Sequence, residues 1–365
     1  SDLIEEDEFR RRVLHGDYAF LKHLNYDKLR LSEIHRLQEG ASYYTGLVLK
    51  QLEMPQEAAR LLALAERESP APWSAEAGRE LISHLTENEQ YERLEEVSRD
   101  MLSRRQGEGV AMLGYLEALY EQEKYEALAE ALEDEASEDI RTSPEGLLWR
   151  GVSAYEQGNG PWEEAFSALF RSYPATVYQS RVYLFISARS ELNEHYSRAE
   201  MALFRAKHFL SEGRSAQAFA SFEAMLGHLQ DSESEGDPAA STEASRLFSY
   251  WTVRDIGVAA LSANRLTAGI TLLDQVGRYS NGALERVIDE YRGRLALQRE
   301  SFADARRWLG QALAAAPGQA ERDRLLRYYL EALTGANPTE AALAIGGHLS
   351  GSGNPARYDG LLEEL

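Results

Sequence analysis

The sequence contains no cysteine, which excludes disulfides, thiolate nucleophiles and cysteine–zinc sites. No apolar run approaches the roughly 20 residues that span a bilayer as a helix, so membrane insertion by this segment is not expected. Positive charge is in the minority: 39 Lys plus Arg face 60 Asp plus Glu, for a net charge of -21 and a pI near 4.9. A surface that negative repels phosphate backbones and anionic headgroups, which argues against nucleic acid as a partner. Proline is scarce, at ten in 365 residues, and the sustained polar–apolar alternation of strands is missing. What is present is a 44% hydrophobic fraction, enough to build a core. Runs such as Leu61-Leu62-Ala63-Leu64-Ala65-Glu66-Arg67 set good helix formers in clusters of about 12 to 16 between short turns. The fold class is all-α, and the length suits two domains or a repeating array.

The helices repeat. Gly46 is followed by Ala58 twelve residues on, then by Leu62 and Ala65, with Pro70 at a distance of 24. Gly293 is followed by Ala305, Leu309, Ala312 and Pro317 on the same ruler. Ala206 with Ala218 and Phe222, Gly257 with Gly269 and Leu273, and Gly151 with Ala165 are looser copies. Leu116 with Leu128 and Ile82 with Leu94 keep the spacing without the small residues, and a degenerate copy centres on Tyr328. The anchors stand at 46, 82, 116, 151, 206, 257, 293 and 328, with steps of 36, 34, 35, 55, 51, 36 and 35. Small residues at this spacing let two antiparallel helices approach, so Gly293 and Ala305 are expected to touch, with Leu309 and Ala312 facing the next unit. Proline then ends the second helix.

This ruler resembles the tetratricopeptide repeat family over roughly residues 40 to 345. The resemblance implies a right-handed α-solenoid of about eight helix pairs with irregular insertions. The map it gives is a helical cap over 1–39, repeats over 40–174, an inserted helical segment at 175–199, and further repeats over 200–348. Within the last block the acidic, Ser-rich stretch 230–243 is expected to be a loop. Residues 349–365 are expected to be a linker and a truncated helix. Ser1 is not an initiator Met, and the chain closes on Leu361-Leu362-Glu363-Glu364-Leu365 with no helix stop signal, as expected of a trimmed chain from a longer protein. Lack of cysteine suits an exported bacterial protein, so a periplasmic or cell-envelope location is expected over a cytoplasmic one.

Chemical motifs are few. The eight histidines never stand at i, i+3 or i, i+4, and neither His-Glu-x-x-His nor Gly-x-Ser-x-Gly occurs. Gly107 and Gly109 lack the third glycine of a phosphate loop, because Met112 holds that place. No catalytic residue, metal or cofactor is expected. Charge is uneven, however. Residues 86–139 carry 17 acids against 5 bases, a net of -12, whereas 285–327 carry 9 Arg against 7 acids, a net of +2.

In the tetratricopeptide family the first helix of each unit lines a concave groove through its second, fifth, ninth and twelfth positions. Carried onto this chain, those positions are Lys207, Trp251, Arg254, Arg294, Arg322 and Tyr329 in the later copies. In the earlier copies they are Tyr43, Glu117, Tyr120 and Tyr155. Arg holds carboxylates with two parallel bonds, and Trp and Tyr are flat anchors. The resemblance thus implies a non-catalytic scaffold that binds a protein or peptide in the groove, and the basic balance of 285–327 points to an acidic partner. A second, architectural resemblance is to the N-terminal superhelical region of soluble lytic transglycosylases, which implies a non-catalytic part of a periplasmic peptidoglycan enzyme.

Overall fold

The computed structural model describes residues 41–69, 73–104, 108–158, 160–235, 240–280 and 282–336. The cap at 1–39, the segment 349–365 and Pro70 lie outside them. Every regular element among the described residues is a helix. No described helix is long and apolar enough to cross a membrane. The chain divides into two compact units, with the cut between Trp162 and Glu163, twelve residues before the insertion at which the sequence map divides.

The first unit holds α1 (Ala41–Gln51), α2 (Pro55–Glu68), α3 (Trp73–Glu87), α4 (Tyr91–Ser103) and α5 (Glu108–Glu121). α6 (Tyr125–Glu130) runs into a single π turn, Ala131–Glu135, and α7 (Glu138–Thr142) and α8 (Pro144–Glu156) follow. Each of α1 to α5 packs on the next, and α3 also packs on α1 and α5. The second unit starts inside α9 (Trp162–Ser172) and continues through α10 (Val177–Ser187), α11 (Ser190–Asn193), α12 (Arg198–Ser211) and α13 (Ser215–Ser234). It is completed by α14 (Ala240–Leu247), α15 (Tyr250–Ser262), α16 (Leu266–Tyr279), α17 (Glu285–Gln298), α18 (Phe302–Ala314) and α19 (Gln319–Ala336).

One turn recurs with the period of the anchors. Glu53, Glu89, Glu123, Gly158, Gly213, Asn264 and Glu300 all have positive φ, between 53° and 72°. Each stands seven residues after an anchor, at 46, 82, 116, 151, 206, 257 and 293. The left-handed residue folds the chain back so that the next N–H reaches a carbonyl five residues earlier. Met54 N bonds Leu49 O at 3.0 Å, Lys124 N bonds Leu119 O at 2.9 Å, and Ser301 N bonds Ala296 O at 2.8 Å. That same residue then opens the second helix: its carbonyl accepts from Ala58 N, Leu128 N or Ala305 N. Three residues therefore close one helix and start the next.

The small residues of the ruler do sit at close crossings, but their partners are one turn away from those expected. A Cβ added to Gly46 would lie 2.8 Å from Leu62 Cγ, and one added to Gly293 would lie 2.5 Å from Leu309 Cγ. At Gly269 the nearest atom is Ala260 Cβ, at 2.6 Å. Side chains lean toward the N-terminus of their own helix. A residue one turn beyond the level of the crossing therefore leans back and covers the glycine. Leu309 accordingly fills the space over Gly293 while clustering with Ala296, Ala305 and Ala332, the last on α19. Ala312 faces α19 through Leu325.

The stretch at 230–243, expected to be a loop, is largely helical. α13 continues to Ser234 and α14 starts at Ala240. Leu226 and Leu229 are buried on α13, so packing carries the helix forward. The polar end is then held by Tyr279, whose hydroxyl donates to Glu233 at 3.0 Å. Burial and the Glu233 carboxylate push the Tyr279 phenol up to about 12, so it remains a donor at neutral pH. The insertion at 175–199 holds α10 and α11.

Candidate functional site

The positions implied by the tetratricopeptide resemblance gather best on α15, α17 and α19. α17 packs on α15 and also on α19. Gly257 makes the first contact possible, because a Cβ there would collide with the ring of Tyr291. Ser249 caps α15, its Oγ accepting from Thr252 N at 3.2 Å. The cap sets Tyr250 and Trp251 in the first turn, their rings edge to face at 5.0 Å. Arg254, nearly one turn on, lies 5.3 Å from the Trp251 ring centre. On α17, Arg294 lies against two rings, 4.9 Å from Tyr291 and 4.8 Å from Tyr328.

The floor of this surface is ionic. Glu290 is 1% exposed and accepts from both terminal nitrogens of Arg324, the forked match of guanidinium to carboxylate. Arg286 lies 5.7 Å from the Tyr250 ring and pairs with Glu321. Since Glu290 is already engaged, Arg294 meets it only at 3.8 Å. Arg254 likewise meets Asp255 only at 3.8 Å, because that carboxylate is held from within. Among the described residues, neither Arg254 nor Arg294 makes a hydrogen bond through its guanidinium. Two planar cations thus lie on aromatic rings with their donors unused.

Lys207 is elsewhere. The groove assignment fails because the inserted α10 packs on α12 and its lead-in covers that face. Lys207 is 0% exposed, with Nζ 3.1 Å from Asp255 Oδ2 and donating to Tyr173 O at 2.6 Å. Ala175 N donates to the same Asp255 oxygen at 2.9 Å. Burial pulls the Lys207 ammonium below the ordinary lysine range, opposed by the Asp255 charge. Burial pushes the Asp255 carboxyl up, opposed by Lys207. The pair is a staple between α12, α15 and the loop after α9.

Arg322 and Tyr329 also turn away from this face, toward α18. Arg322 Nε donates to Ala316 O at 3.3 Å, behind the end of α18, and Tyr329 packs over Gly310 of α18. Arg324 and Tyr328 stand in their places. The step from Glu290 to Arg324, like that from Arg294 to Tyr328, is 34 residues. The last copy is therefore anchored at Arg327 and not at Tyr328. Tyr250, Tyr291 and Glu290 were missed because they fall beside the groove positions or carry the wrong charge. Pairing by repeat spacing would have found Glu290 with Arg324.

The earlier candidates belong to the first unit. Tyr43 packs on Tyr44 at 5.2 Å and Trp73 at 5.9 Å. Tyr155 stands edge-on to Trp162 at 5.7 Å. Tyr120 and Glu117 lie half-buried on α5. No protein-family model matches the chain, and comparison with curated proteins gives no match.

Proposed function

We propose that this segment is a non-catalytic interaction scaffold whose second unit binds an acidic peptide or protein segment across α15, α17 and α19. The single observation that carries the reading is the pair of stacked, hydrogen-bond-free guanidiniums of Arg254 and Arg294 on directly packed helices. A carboxylate can meet both donors of such a fork, and the rings beneath supply flat apolar contact. A tetratricopeptide-like arrangement supports it further. Hairpins closed by the same three-residue turn pack on their neighbours within each unit, which supports reading each unit as a stretch of right-handed α-solenoid. That stacking sets first helices side by side as a continuous face.

The test uses fluorescently labelled Glu-rich peptides titrated against the whole chain. Substituting Trp251, Arg254 and Arg294 by Ala weakens binding by about 1–2 kcal/mol each, with the urea midpoint unchanged. Equal binding by the triple variant would remove the surface from consideration.

A further inference from the structure

Resting on the acidic-partner reading above, we infer that Arg324 is a positioning residue for this face: by taking both oxygens of buried Glu290 it keeps Arg294 available to a carboxylate of the partner. Left to α17 alone, Arg294 would be consumed. Glu290 precedes it by four residues, the helical spacing and order at which a carboxylate and a cation pair best. Glu290 is 1% exposed, and a buried carboxylate left without a cation is strongly destabilising. Arg294 Nη1 stands 3.8 Å from Glu290 Oε1, about 1 Å short of a charge-assisted hydrogen bond. What intervenes is α19. Arg324 donates through Nη2 to Oε2 at 2.8 Å and through Nη1 to Oε1, a fork that lysine does not provide. Tyr328, four residues further along α19, sets its ring against Arg294 at 4.8 Å. One helix thus engages the carboxylate and supports the arginine that the carboxylate does not take.

The first unit shows the outcome without a fork. Glu95 and Arg99 on α4 have the same four-residue spacing as Glu290 and Arg294 on α17. Glu95 is also buried, and a cation from beyond α5 reaches it. That cation is Lys124, whose ammonium bonds Oε2 alone, at 2.7 Å. Gln122 joins it on the same oxygen at 2.9 Å. Oε1 is left over, and Arg99 turns in to bond it at 2.8 Å. A lysine therefore shares a buried carboxylate with the arginine one turn on, whereas the fork of Arg324 excludes that arginine.

The experiment titrates a labelled Glu-rich peptide against the unmodified chain, R324K, R294A, R324K/R294A and E290M/R324M, with the urea midpoint of each as the folding control. R324K keeps the positive charge but gives up the fork, so Arg294 turns in on Glu290. The expected result is about tenfold weaker binding in R324K, matching R294A, with no further loss beyond about twofold when the two are combined. E290M/R324M has no carboxylate to capture Arg294 and keeps the net charge of the unmodified chain, so it binds within about twofold of that chain. Undiminished binding in R324K would overturn the inference. Losses that add up in R324K/R294A would overturn it too, because Arg324 would then act by its own contact with the peptide. So would weak binding by E290M/R324M. Absence of binding by the unmodified chain would remove the acidic-partner reading itself, and the inference with it.

Discussion

The two units handle buried carboxylates in opposite ways. In the first unit they lie on second helices. Glu66 of α2 is met by Arg104 at 2.9 Å, and Glu95 of α4 by Lys124 at 2.7 Å and Arg99 at 2.8 Å. There acids outnumber bases, and nearby cations are drawn into such pairs. In the second unit the buried carboxylates, Asp255, Asp289 and Glu290, lie on first helices. Lys207, Arg292 and Arg324 take them, which leaves Arg254 and Arg294 without a hydrogen bond through their guanidiniums. The lesson is that local charge surplus, and not charge count over the chain, decides which face of an acidic protein can receive an anion.

The sharpest way to break that contrast is to remove the buried cation. Lys207→Met leaves Asp255 uncompensated and costs about 3–5 kcal/mol, read as a fall in the urea midpoint. Replacing both partners with apolar residues, K207M with D255L, recovers most of it. If the single variant is as stable as the parent, the staple is dispensable. Next comes packing, which is expected to be alike in both units. Ala305→Arg overpacks the crossing of α17 and α18 and costs about 1–3 kcal/mol or more, and an unchanged melting temperature would contradict the register of that crossing.

Acid sharpens the contrast further. Burial alone would push the Glu95 carboxyl up, but hydrogen bonds from Lys124 and Gln122, with the charges of Lys124 and Arg99, hold it below the usual range. Its folded pKa is depressed, so its stabilisation is present above the unfolded value of about 4.3 and is lost as pH falls through the folded one. Asp289 of the second unit is the reverse: burial holds it high, with the neighbouring Glu285 charge adding to that and the Arg292 hydrogen bond opposing it. Its contribution is present below the unfolded value of about 3.9 and is lost as pH rises through the folded one. Urea midpoints against pH should show the gap between wild type and E95Q closing in acid, while D289N gains on wild type as pH rises through the carboxylate range.

The smallest effect concerns the shared turn. Glutamate in the left-handed region is strained by about 1–2 kcal/mol, part of which glycine returns as chain entropy. Glu300→Gly is expected to stabilise by about 0.5–1 kcal/mol. Gly213→Ala at the equivalent turn should destabilise by a similar amount. Thermal unfolding of the two variants checks the pair.

Much of this was legible in residues. The ruler from Gly46 and Gly293 located the hairpins, and the turn seven residues on confirms their period independently. Trp251, Arg254 and Arg294 lie together on the packed helices α15 and α17, as expected of first-helix positions, which are local. Lys207 was lost because the loop after α9, more than 30 residues away in sequence, closes over it through Tyr173. Arg322 and Tyr329 were lost to a register error of one residue, which turns a helical side chain by about 100°. The stretch 230–243 was misread because composition reports solvent preference, whereas Leu226, Leu229 and Tyr279 hold the helix there.

Helices, their pairing and their period could be read from the residues alone, since helix propensity acts within a turn and each hairpin closes between residues about sixteen apart, as Gly46 with Leu62 and Gly293 with Leu309. Which cations are consumed by buried carboxylates and which keep their hydrogen-bond donors is set by how the helices pack. That choice depends on which carboxylate reaches which cation across helices 34 to 48 residues apart, a matter of packing that no local rule reports.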